Sequence, residues 1–78
     1  MHLLDFATII KERRKTLRIN QKELSELTNI GLRTIIKIES GATNPTLKTI
    51  IQILDVLGLE LTIKTKKWER QKYFAIRF

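Results

Sequence analysis

Arg33 and Lys37 stand four residues apart in LRTIIKIES, the spacing that sets two side chains on one face of a helix. A guanidinium donates two parallel hydrogen bonds, and the O6 and N7 atoms of guanine accept such a fork. Arg33 is therefore the first candidate for reading a base. Lys37 can read a base or grip a phosphate, while Thr34 offers a hydroxyl to a phosphate or a methyl to a thymine. The plain alternative is a pair of solvated basic residues. Gln21 can hydrogen-bond a phosphate through its amide and buttress a neighbouring helix. Asn44, Thr46 and Lys48 cluster where a helix would start, and its free N–H groups are natural phosphate ligands. Helix capping alone also accounts for Thr46. Catalytic chemistry finds no such support. The only histidine is His2, cysteine is absent, and no glycine-rich phosphate loop or metal-spaced cluster occurs. The residues point away from an enzyme, and no cofactor is expected.

The elements that must position these side chains can be read from period and punctuation. Asn20 suits an N-cap with Glu23 three residues on, so a helix is expected over Gln21 to Thr28, with Leu24 and Leu27 on its apolar face. Asn29 and Gly31 mark a turn. A second short helix follows over Leu32 to Ser40, with Ile35 and Ile38 inward and Arg33, Thr34 and Lys37 outward, and Gly41 stops it. Two such helices joined by a tight turn describe a helix-turn-helix. Before them, a helix beginning at Asp5 or Thr8 and running to about Leu17 carries Phe6, Ile9, Ile10 and Leu17, with Lys11, Arg13 and Lys15 mostly outward. After the loop GATNPT, Thr46 caps a fourth helix from Leu47 to about Leu57. Its inward face is Leu47, Ile50, Ile51, Leu54 and Leu57, and Gly58 ends it. Leu59 to Thr65 then alternates as a half-buried strand, and Tyr73 to Phe78 alternates again. The expected fold class is mainly α, with a short C-terminal β-strand and a basic aromatic tail. Residues 1–58 form the helical domain and 59–78 the strand and tail.

Seventy-eight residues bury little apolar surface, so a second copy of the chain is a natural source of stability. A lone strand leaves its backbone groups unpaired. Either Tyr73 to Phe78 folds back on it, or the strand of a second subunit pairs with it through Leu59, Leu61 and Ile63. The net charge of +7 favours an anionic partner. From Lys64 onward six basic residues stand against one acidic, among Trp68, Tyr73, Phe74 and Phe78. Those aromatic residues can pack in the core or a dimer, or anchor a partner protein. No stretch reads as a signal peptide or a membrane span, and a cytoplasmic location is expected.

NQKELSELTNIGLRTIIKIESGATNPTLKTIIQILDVLGL resembles the helix-turn-helix domain of lambdoid phage repressors, Cro proteins and bacterial XRE-type regulators, over about Phe6 to Leu59. The resemblance rests on Asn20-Gln21, on Ile38-Glu39-Ser40-Gly41, and on Asn44-Pro45-Thr46-Leu47. It implies a lambda-repressor-like fold and a homodimer on double-stranded operator DNA. Gln21, Asn44 and Lys48 would then hold phosphates, and Arg33, Lys37 and Leu32 would read bases. It also implies that Arg14 and Glu39 form a structural ion pair between the first helix and the end of the recognition helix. LGLELTIK is similar to the strand of HipB-like antitoxins, which repress their own operons and bind a HipA-type serine/threonine kinase toxin. Two positions depart from the pattern. Gly31 replaces a Ser or Thr cap, and Leu32 replaces a polar residue. Ile36 falls between core and groove, where apolar readout and subunit packing both fit.

Overall fold

A computed structural model describes residues 3–64 and 73–76, with backbone alone for 3, 4, 64 and 73–76. Four helices are followed by a hairpin: α1 (Leu3–Thr16), α2 (Gln21–Thr28), α3 (Leu32–Glu39), α4 (Leu47–Val56), β1 (Leu61–Lys64) and β2 (Tyr73–Ile76). The core draws on every helix. Phe6 and Ile10 come from α1, Leu24 from α2, Ile35 and Ile38 from α3, and Ile53, Leu54 and Leu57 from α4 and its end. An eight-residue helix such as α2 or α3 is not stable alone in water, so these buried side chains are what hold it.

Local chemistry fixes the helix starts. Asn20 accepts a hydrogen bond from the Glu23 amide at 2.7 Å, and the Glu23 carboxylate accepts one from the Asn20 amide at 3.0 Å, closing a capping box. At α4 the Thr46 hydroxyl accepts from the Thr49 amide at 3.2 Å. Gly31, ahead of α3, offers no side-chain cap.

All four helices stop in the same way. A residue with positive φ follows each: Arg18 (57°), Asn29 (59°), Gly41 (75°) and Gly58 (69°). The next amide then reaches back five residues, Ile19 to Arg14 at 3.1 Å, Ile30 to Ser25 at 3.2 Å, Ala42 to Lys37 at 3.0 Å and Leu59 to Leu54 at 2.8 Å. These are the closing bonds of the left-handed helix stop. Leu59 therefore belongs to the end of α4, and β1 begins at Leu61.

The strand pairs within the chain. β1 and β2 are antiparallel, with Leu61 opposite Ile76, Thr62 opposite Ala75, Ile63 opposite Phe74 and Lys64 opposite Tyr73. Leu61 and Ile63 thus stand opposite Ile76 and Phe74, one of the two pairings that the alternating segments allow.

Several positions differ from the sequence expectation. α1 begins at Leu3, and Ala7 rather than Ile9 or Leu17 joins Phe6 and Ile10 inside. Leu27 is exposed while Thr28 is buried, its hydroxyl donating to the Leu24 carbonyl at 2.7 Å. On α4 Leu47 is exposed and Ile53 is wholly buried. Helical period identifies a stripe, but the angle at which neighbouring helices cross decides which edge of it is covered.

Candidate nucleic-acid interface

α3 is the element on which the candidate residues turn. Ile35 and Ile38 are buried and Glu39 is 3% exposed, which anchors one side of the helix. Leu32, Arg33, Thr34, Ile36 and Lys37 lie on the exposed side. Arg33 and Lys37 therefore project together from a helix whose opposite face is fixed in the core. This is the geometry by which a helix can present donors to the floor of a groove.

The inner end of α3 is held by a polar hub. Arg14 Nε donates to Glu39 Oε2 at 2.7 Å and Arg14 Nη2 donates to Oε1 at 2.9 Å, a two-pronged ion pair between α1 and α3. Arg14 Nη1 also donates to the Ile19 carbonyl at 2.9 Å. Gln21 Nε2 donates to Glu39 Oε1 at 3.2 Å, so one carboxylate ties α1, α2 and α3 together. The Gln21 amide has two N–H bonds, and this contact uses one of them. The side chain is thereby oriented at the first turn of α2.

Asn44, Thr46 and Lys48 form a second exposed cluster, on the loop after α3 and the first turn of α4. Thr46 acts as the cap described above, and its hydroxyl also contacts the Thr49 hydroxyl at 3.0 Å. Leu59 and Leu61 line an apolar groove of about 170 Å³ with Phe6, Ile9, Ile50 and Leu54, while Ile63 is 52% exposed. Tyr73 and Phe74 are placed in β2 as backbone positions. Trp68 and Phe78 lie outside the described residues.

One functional side chain has no local signal in the sequence. Arg13, expected to point outward, donates from Nε to the Leu57 carbonyl at 2.8 Å and so closes the end of α4. Its partner is 44 positions away, beyond the reach of any short-range pattern. Among the described residues no buried side-chain nitrogen or oxygen lacks a partner. None of their His, Cys, Asp or Glu side chains cluster in threes suited to a metal ion. No helix among them is long and apolar enough to cross a membrane.

A family model described as helix-turn-helix matches residues 10–64, which contain the whole of α2, α3, α4 and β1. An HTH-type transcriptional regulator of Haemophilus influenzae is 42% identical over 50 residues, 64% of this chain and 51% of that protein. One from Methanothermobacter thermautotrophicus is 40% identical over 53 residues, 68% of this chain and 77% of its own. The HTH-type transcriptional regulator y4mF of Sinorhizobium fredii is 29% identical over 59 residues, 76% of this chain and 78% of its own. The chain thus spans about half the length of the Haemophilus protein and over three quarters of the other two.

Proposed function

The chain belongs to the helix-turn-helix family, and from that premise we propose that it regulates transcription by binding double-stranded operator DNA in a sequence-specific manner. The observation that carries this is the two-sidedness of α3: Ile35 and Ile38 are buried while Arg33 and Lys37 share the exposed face. Arg33 reads guanine, Lys37 reads a base or holds a phosphate, and Thr34 contacts the backbone or a thymine. Gln21, Asn44 and Lys48 hold phosphates on either side. The relatives' description as transcriptional regulators supports the same reading.

The active form is a homodimer, because two copies of α3 on a two-fold axis meet two half-sites. Leu59, Leu61 and Ile63 supply its contact, with residues 59–78 serving dimerisation or partner binding. The apolar groove beside Leu59 and Leu61 and the exposure of Ile63 support that assignment.

Selection of duplexes from a random pool tests the whole reading. The chain is expected to enrich a two-fold symmetric site and to bind it as a dimer in sedimentation. Arg33→Ala should relax preference at one base pair and cost about 1–3 kcal/mol. Equal retention of enriched and scrambled duplexes by this variant and the parent would show that Arg33 reads no base.

A narrower reading makes the chain a HipB-like antitoxin that binds a HipA-type serine/threonine kinase toxin. The segment LGLELTIK and the onset of β1 soon after α4 support it. The relatives' names fit a regulator with no toxin partner better. Co-purification with a kinase encoded by the adjoining gene decides between the two.

A further inference from the structure

The exposed side of α3 is not uniformly polar. Leu32 is 41% exposed and Ile36 44%, whereas Ile35 and Ile38 of the same helix are 1% and 2% exposed. Leu32 and Ile36 are one turn apart and form a stripe. Arg33 and Lys37 form a second stripe, one residue and so about 100° further round the helix. An apolar stripe therefore runs beside a basic one. The one acidic residue of α3, Glu39, is buried and paired with Arg14, so no carboxylate of α3 faces outward.

Such a surface fits a partner that is anionic and also carries apolar points. A wholly apolar protein face would cover Leu32 and Ile36 but strip water from two cations without compensation. The major groove of duplex DNA offers both features. Guanine presents acceptors for a guanidinium, and thymine presents a C5-methyl group.

We propose that Leu32 and Ile36 recognise thymine 5-methyl groups, so that each half-site combines a guanine facing Arg33 with one or two nearby thymines. This rests on α3 entering the major groove, the reading given above. It makes the departure from a polar residue at Leu32 a determinant of sequence preference, and it gives Ile36 a role outside the core.

The test replaces thymines of the enriched duplex one at a time with 2′-deoxyuridine, which removes the 5-methyl and leaves base pairing intact. Affinity of the full chain should fall about fourfold at one or two thymines per half-site, the factor equivalent to ~0.8 kcal/mol for a buried methylene-sized group. Replacement at other thymines should change nothing. Leu32→Ala and Ile36→Ala alter exposed positions and should melt like the parent. Each should bind the thymine and deoxyuridine duplexes equally at the position it reads. If every deoxyuridine duplex binds the parent undiminished while Arg33→Ala still relaxes a guanine, the methyl assignment is overturned and DNA recognition by α3 stands. Failure to enrich any duplex would instead overturn DNA recognition and the methyl assignment with it. A third outcome is that the two alanine variants sediment as a smaller species and keep the parent's methyl sensitivity. The stripe would then be a protein interface and the proposal wrong.

Discussion

At the scale of single residues, Glu39 is a buried charge held by a largely buried partner. Its side chain is 1% exposed and that of Arg14 is 12% exposed, so neither charge is screened by water in the way a surface pair would be. Removing the carboxylate strands a largely buried guanidinium and releases the Gln21 amide as well. Glu39→Ala is therefore expected to destabilise the fold by about 3–5 kcal/mol, read from a denaturant or thermal melt. An unchanged midpoint would mean that the pair contributes nothing to folding. The loss should also reach the candidate interface, because Gln21 takes its orientation from the same oxygen that Arg14 Nη2 bonds.

At the scale of elements, the stops are more uniform than the starts. Each helix ends on a left-handed residue, and two of the four are not glycine. Asn tolerates that conformation, but Arg18 at φ 57° brings its Cβ close to the following carbonyl oxygen, at a cost of roughly 1–2 kcal/mol. Arg18 is exposed, and removing its side chain opens no cavity. Arg18→Gly should consequently raise the melting temperature by several degrees, about 1 kcal/mol for a domain of this size. A lowered temperature would show that the arginine side chain makes a compensating contact.

The same contrast separates what was legible in the chain from what was not. Asn20 with Glu23, Thr46, Gly41 and Gly58 act on their immediate neighbours, and the boundaries they imply for α2, α3 and α4 match within a residue or so. The alternation of the last two segments marked both as strands but left open whether they pair with each other or with a second subunit; the pairing within the chain and its register come from the structure. Arg18 gives no such notice, because the docking of α1 and α2 on either side can force almost any residue into a left-handed turn. Ile9, Leu27 and Leu47 sit on apolar stripes yet are exposed, since the stripe is wider than the contact each helix makes. Arg33 and Lys37 could be placed on one face from spacing alone. The hold of Arg13 on Leu57 could not, because it exists only once α1 and α4 have docked.

At the scale of the whole molecule, neighbouring arginines on α1 serve two different helices. Arg13 closes the end of α4 and Arg14 clasps the end of α3. The last turn of α1 is thus a common fastening for helices that do not follow it directly in the chain. Fraying of that turn should loosen the far ends of α3 and α4 at the same moment, so the three belong to one cooperative opening unit. Native-state hydrogen exchange can follow this through the amides of Ile19, Ser40 and Leu59, each bonded within one of those three ends. They are expected to share a single opening free energy. Exchange of Leu59 at a much faster limiting rate than Ile19 would mean that α4 unravels alone. A molecule fastened in this way gives the exposed face of α3 very little freedom to tilt, so whatever α3 binds must be met already in shape.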